Sequence, residues 1–476
     1  MKRGSGVLMH VSSLFGDYSC GSFGKSAKYF IDFLEKCGFS YWQVLPFCMV
    51  DECNSPYKSY SAFGGNPYLV DLEILHGKGL VTDAELEEYK QKTPYVCEYE
   101  RMYNTRTDLF MKASKRVTDA NIIEDFISSN KYLDDFCRFM ALKAANNEKP
   151  WTEWTKDSVD SDILFMWKFI QYEFFCQWDE ILNYAHSKGI KIIGDVPIYV
   201  SYDSCDVWSN KKYFELDENM CCSSVAGVPP DYFCEDGQLW GNPLYNWAEM
   251  EKDGFRWWCD RMQHMFAMFD CVRIDHFRGI ESYWSVPGDA KTARDGKWIK
   301  GPGKAFVDAM NKIRGDKMII AEDLGDITAE VNRLVEYSGF PGMRVIQFGF
   351  MGDDDSTHLP HNYINNCIAY TGTHDNNTLL GFVWELSESE RCRMLDYCGY
   401  AEQNWDGCYD YILRTLYASS AGVIIMPIQD LLCYGSDTRL NVPGRAEGNW
   451  QYRITKDQLD SIDAEKFKKW NTIYKR

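Results

Sequence analysis

The sequence predicts an α/β fold, a (β/α)8 TIM barrel with helical and loop-rich insertions at the C-terminal face of the strands, on three observations. Short apolar runs recur with helical stretches between them, at Val7–Val11, Tyr41–Leu45, Lys191–Val196, Cys271–Ile274, Met318–Ala321, Arg344–Phe348, Cys367–Thr371 and Val423–Met426. Strand and helix alternating in this way imply parallel strands joined by crossovers, and eight of them imply closure. Three acids, Asp275, Glu322 and Asp375, stand at or just past the ends of such runs. In barrel enzymes the chemistry lies at that end of the strands. One such acid alone reads as a cap or an ion-pair partner; three in the same context point to a site. The spacing between runs is also uneven, with far more chain between Pro46 and Gly189 than one helix needs.

The excess chain sets the expected organisation, a single catalytic barrel over residues 1–476 with two insertions. Amphipathic stretches at Thr82–Gln91, Tyr132–Ala145 and Ile163–His186 predict a helical insertion over 74–160 between the second and third strands, the last helix returning to the barrel. A segment over 197–250, poor in periodicity and rich in Asp, Gly and Pro, predicts loops over the site. From Lys456 onward the chain reads as one closing helix, too short for a C-terminal β-sandwich domain. No internal repeat, low-complexity tract or interdomain linker is evident.

Composition narrows the partners. With 51 Lys and Arg against 70 Asp and Glu, the net charge is −19, which repels nucleic acid and anionic membrane surfaces and suits a neutral substrate. The 16 Trp and 30 Tyr are many even for a large enzyme; most pack in a core, and aromatic faces also stack on sugar rings. The 18 cysteines are scattered through the apparent strands and helices, as Cys137, Cys271 and Cys367 are, with no C-x-x-C pair, so a zinc site has no support and reduced thiols in a cytoplasm are expected. The apolar stretch after the initial MKR is too short for a signal peptide, and no run of about twenty apolar residues predicts a membrane span.

Several strings are more specific. SPYKSYSAFGGNPYLVDL (55–72), GDVPIYV (194–200), VAGVPPDYF (225–233), WGNPLY (240–245), VRIDHFRG (272–279), AEDLG (321–325), TGTHDN (371–376) and PGR-x-x-GNW (443–450) occur in this order from one end of the chain to the other. The set resembles the 4-α-glucanotransferase family, the amylomaltases or disproportionating enzymes of glycoside hydrolase family 77. That resemblance implies a retaining mechanism on α-1,4-glucans, with Asp275 as the nucleophile, Glu322 as the acid and base, and Asp375 holding sugar hydroxyls. It also implies substrate contacts from His374, Tyr57, Trp240 and Asn242, with Asp195, Ser55, Gln238 and Asn441 as companions. Malto-oligosaccharides and α-1,4-glucans would be donor and acceptor, glucose an acceptor or product, and the chain a monomer or homodimer. No metal or other cofactor is expected.

The residues themselves agree on part of this. Arg273 points to the same side of its strand as Asp275 and would help keep that carboxylate ionised. Glu322 has no such cation nearby in sequence, consistent with a raised pKa. For His276, beside Asp275, a structural and a functional reading are evenly balanced, and Phe63 and Phe348 are candidates for lining the groove. The loop Gly227–Gly237, stiffened by Pro229 and Pro230, with Tyr57 as an acceptor platform, is expected to keep water off the intermediate. An α-glucan hydrolase on the same barrel is the alternative reading, since only the acceptor differs.

Overall fold

The first strand shows how the sequence builds the barrel. Gly4–Leu8 (β1) lies between Tyr41–Gln43 (β2) and Val423–Pro427 (β12), and a Cβ on Gly6 would stand 2.5 Å from the Tyr41 carbonyl oxygen, so only glycine permits the close pairing there. These relations come from a computed structural model, which describes every residue except 51–52, 231–234, 352–355, 402–406 and 446.

The remaining strands are Lys191–Val196 (β3), Ser224–Val228 (β4), Gln238–Pro243 (β5), Cys271–Ile274 (β6), Ser282–Pro287 (β7), Lys297–Lys300 (β8), Met318–Ala321 (β9), Gly342–Val345 (β10) and Cys367–Tyr370 (β11). Eight of them form one all-parallel sheet in the order β10-β11-β12-β1-β2-β3-β6-β9. The Ala321 N–H, donating to Pro341 O at 3.0 Å, joins β9 to β10 and closes the barrel. Around it the strands follow one another in chain order, with only β4, β5, β7 and β8 intervening, as repeated crossovers produce.

All eight expected strands are present, two of them displaced. β1 starts at Gly4 and is over by Leu8, because Val11–Ser13 turns into a 3-10 helix; β10 starts at Gly342, and Ile346–Phe350 is likewise 3-10. In both cases the apolar run continues past the strand, since the turn that follows is itself buried.

Alternation along the strands separates two cores. Ile192, Val272, Ile274, Ile319 and Ala321 face outward into the large core shared with the helices, whereas Ile193, Cys271 and Ile320 face the barrel interior. Two residues further along the interior side come Asp195, Arg273 and Glu322, and after another two, Asp275. The period of two therefore delivers all four to the inside of the barrel mouth.

Between β2 and β3 stand helices 72–77, 83–88, 99–114, 120–128 and 131–145 before the long returning helix Ser161–Ser187. Side-chain caps start several of them: Thr82 and Glu85 form a capping box, Asn130 accepts from the Leu133 N–H, and Asp160 accepts from the Asp162 and Ile163 N–H groups. The 99–114 and 120–128 helices have no counterpart among the helices expected from periodicity. The expectation of loops over 197–250 is overturned in part. β4 and β5 from that segment join β7 and β8, which follow β6, in an antiparallel sheet ordered β5-β4-β7-β8. After β12 the chain ends in two helices rather than one, Lys456–Asp460 and Ala464–Tyr474, because Asp463 caps a second start. No helix among the described residues is long and apolar enough to cross a membrane, and the described cysteines are all unbridged.

Gly194 offers a direct check on the packing outside the barrel. A Cβ there would lie 2.2 Å from the buried Phe269 ring, which is wedged against Phe47 and Trp178. Gly194→Ala should cost about 1–3 kcal/mol as an overpacked core, read as a lower urea midpoint at unchanged m-value; an unchanged midpoint would show that the ring yields freely.

Candidate active site

At the C-terminal mouth a guanidinium lies between two carboxylates. Arg273, with its side chain 4% exposed, donates from Nη1 to both oxygens of Asp195 at 2.8 and 2.7 Å, and from Nη2 to Asp275 Oδ1 at 2.7 Å. Burial opposes the charge on Arg273, but Asp195 and Asp275 outweigh it and hold the guanidinium well above its ordinary pKa. Tyr57 completes this floor, its hydroxyl donating to Asp195 Oδ2 at 2.7 Å.

Glu322 begins where β9 ends, on the strand next to Asp275, and both of its oxygens are occupied. Oε1 accepts the Leu324 N–H at 2.8 Å and Oε2 the His276 N–H at 2.6 Å. Burial pushes its carboxyl up to about 7, helped by the charge of Asp275 and opposed by Arg273 and these two N–H groups. The sequence showed no cation beside Glu322; Arg273 acts on it across the strands, and burial still dominates.

Asp375 has the opposite balance. Its carboxylate takes a hydrogen bond from Asn441 Nδ2 at 2.6 Å and lies 3.2 Å from His374 Nε2. Burial works against its charge, yet His374 and Asn441 prevail and hold the carboxyl down at about 2, while 45% of its side-chain surface stays open to the cleft. His374 in turn resists its own desolvation because of Asp375, so its pKa is raised. Its ring stacks on Tyr57 with centroids 4.9 Å apart and planes at 19°.

Above this floor opens a cleft of about 1160 Å³. Ser55, Tyr57, Gln238, Trp240, Asn242, Asp275, His374, Asp375 and Asn441 line it, over Asp195 and Arg273. Trp240 is oriented by its Nε1–H donating to Gln238 Oε1 at 3.1 Å, and Asn242 by donating to Val200 O at 2.9 Å. Apart from the two aromatic candidates, each side chain expected at the site is at this mouth, with Glu322 at the end of β9 but not among those lining the cleft. Phe63 stacks on Tyr132 at 4.0 Å in the core, and Phe348, edge-on to His358, packs against the barrel-interior cluster without lining the cleft. Of the loop Gly227–Gly237, residues 231–234 lie outside the described residues, as do 51–52 of the loop Val50–Asn54.

The cleft also contains Lys58, Tyr199, Asn449 and Trp450, which were not singled out from the sequence. All four belong to the strings quoted above, and what sequence could not supply was their direction. Trp450 has a positive φ of 65° and sets its ring within 6 Å of both Tyr57 and His374. Asn449 holds the returning loop by accepting from the Val442 N–H at 3.0 Å, which brings Asn441 to Asp375.

Fold and site together define a barrel enzyme whose cleft is built from carboxylates, amides and aromatic rings. Residues 9–459 match the profile of glycoside hydrolase family 77, 4-alpha-glucanotransferase. A 4-alpha-glucanotransferase of Clostridium butyricum is 42% identical over 98% of this chain and 100% of its own length, and one of Thermus thermophilus 38% identical over 96% of each. The solved structure of the amylomaltase of Streptococcus agalactiae, in complex with acarbose, superposes with a TM-score of 0.95 at 38% identity over the whole of both chains. The chain belongs to the 4-alpha-glucanotransferases, a family of enzymes.

The raised carboxyl of Glu322 has a consequence for stability. An unfolded Glu titrates near 4.5 and the folded one near 7, so between these values the folded state holds more proton. Stability must then fall as pH rises through that window, by on the order of 3 kcal/mol for this group. Glu322→Gln removes the titration, so urea unfolding at pH 4.5 and 8 should show the variant gaining on wild type at the higher pH. Parallel pH curves would mean that Glu322 is ionised at neutrality.

Proposed function

We propose that this chain transfers α-1,4-glucan segments between malto-oligosaccharides by double displacement through a covalent glycosyl-enzyme. The observation that carries this is the unequal pair at the ends of β6 and β9. Asp275, hydrogen-bonded to a guanidinium, is the nucleophile; Glu322, buried and protonated up to about pH 7, is the acid. Adjacent parallel strands run about 4.8 Å apart, and a retaining pair needs its carboxyls about 5 Å apart.

In the first step an Asp275 oxygen bonds to the anomeric carbon while Glu322 gives its proton to the departing glycosidic oxygen. In the second, Glu322 takes the proton of the acceptor hydroxyl as that oxygen displaces Asp275. Asp375, ionised and exposed to the cleft, accepts hydrogen bonds from sugar hydroxyls of the distorted ring, with His374 beside it. The rings of Tyr57 and Trp240 and the amides of Asn242, Gln238 and Asn441 orient the chains on either side. The acarbose bound to the streptococcal amylomaltase supports an α-glucan as the occupant of this cleft.

The reading is tested by trapping. Glu322→Gln given an α-glycosyl fluoride, which needs little acid assistance, should accumulate a mass adduct that maps to Asp275; an adduct elsewhere removes Asp275 from the role. Wild type given maltotriose should produce a ladder of longer chains with glucose released, whereas glucose and maltose alone would mean hydrolysis.

No step in this scheme calls on a metal ion. Exhaustive chelation should leave maltotriose disproportionation unchanged. A large loss restored by one metal would overturn this part of the scheme.

A further inference from the structure

His276 is one of few residues other than glycine with a positive φ, 49°, and it sits between the proposed nucleophile and the turn Arg278–Glu281. Left-handed backbone is costly for a side chain with a Cβ, and where it persists at a site something there requires it. Here two successive N–H groups turn toward the end of β9. The His276 N–H donates to Glu322 Oε2 at 2.6 Å, and the Phe277 N–H donates to Glu322 O at 3.0 Å. The imidazole, meanwhile, stands edge-on to Trp240, with centroids 4.9 Å apart and planes at 85°. Its Nε2 is buried without a hydrogen-bond partner, so the ring is not placed there to satisfy its own polarity.

We infer that His276 is a positioning residue with two separable parts: its left-handed backbone aims an N–H at Glu322 to stabilise the carboxylate left when the proton has gone, and its ring braces Trp240 from behind as a wall of the sugar cleft. This rests on Glu322 being the acid. A neutral N–H aimed at the oxygen that becomes anionic works as an oxyanion-hole donor does, on the enzyme's own acid instead of the substrate. It also sets how readily the acid gives up its proton. The charged groups facing Glu322 are Arg273 and Asp275, and substitutions at 276 leave both in place. The charged groups nearest the imidazole are Asp275 and Arg278; burial holds that ring neutral, its pKa lowered to about 4.

The two parts are tested with three substitutions. His276→Gly keeps the N–H and adopts positive φ freely, but has no ring; His276→Asn tolerates positive φ with a smaller side chain; His276→Val disfavours it. The alkaline limb of kcat/KM for maltotriose should keep its pH in the Gly and Asn variants. In His276→Val it should move up by about half a unit or more, with kcat lowered roughly tenfold. The Gly variant should instead raise KM for maltotriose several-fold, because the ring that supports Trp240 is gone. A Val variant whose limb stays at the wild-type pH would overturn the backbone part, and a Gly variant with unaltered KM for maltotriose would overturn the ring part. Should the Val variant fold poorly, the Gly and Asn limbs still decide, because a shift in either contradicts a backbone role. The urea-derived titration of Glu322 reads the same shift without activity, so it separates failure of this inference from failure of Glu322 as the acid.

Discussion

The site depends on one buried ion triad. Arg273, almost wholly enclosed in the barrel mouth, gives three hydrogen bonds to two carboxylates that would otherwise face each other inside a low-dielectric funnel. Burying a guanidinium costs several kcal/mol unless its geometry is excellent and its donors are taken. The barrel supplies that geometry by register alone, since Asp195 on β3 pairs directly with Arg273 on β6, and Asp275 follows two residues later on the same face. From this anchor the rest extends outward. Asp195 orients the Tyr57 hydroxyl, Tyr57 stacks on His374, and His374 accompanies Asp375.

A single cation thereby acts unequally on its neighbours. Asp275 and Asp195 receive direct hydrogen bonds from it, whereas Glu322 on the next strand has its field without a contact, and desolvation governs there. Two carboxyls at adjacent strand ends acquire different environments in this way, the arrangement by which acid and base tasks are divided in one fold. The side chains above the floor owe their directions to loops rather than strands. Asn441 is held near Asp375 by residues 449 and 450 returning beside it: Asn449 accepts from the Val442 N–H, and the Trp450 N–H donates to Leu440 O at 2.7 Å.

The barrel was legible in the sequence because parallel strands are covered on both faces and so appear as continuous apolar runs, such as Met318–Ala321 and Val423–Met426. Where the strand signal was blurred, as at Gly4–Gly6, small residues made the strand and the apolar run lay beyond it. The antiparallel sheet escaped notice for the opposite reason. β5 contains Gly241 and Pro243, and β8 carries Lys297 and Lys300, so neither has the composition of a core strand. The acids were legible as residues following strands, and the quoted strings placed their companions. What could not be read was dihedral in nature: the positive φ of His276 and Trp450, and the loop closure that makes Asn441 a partner of Asp375.

The seam between β1 and β12 pairs Gly4 with Val423, residues about 400 positions apart in the chain. Contacts of such separation form late, because the entropy of closing the loop must be met before pairing rewards it. Without β12 the barrel would be open along this seam, and Arg273 and its carboxylates would be reached by water from that side. Asn441 and Trp450, which complete the cleft, follow that strand directly. Enclosure of the triad and completion of the cleft are in this way tied to the same stretch of chain, from β12 to Trp450.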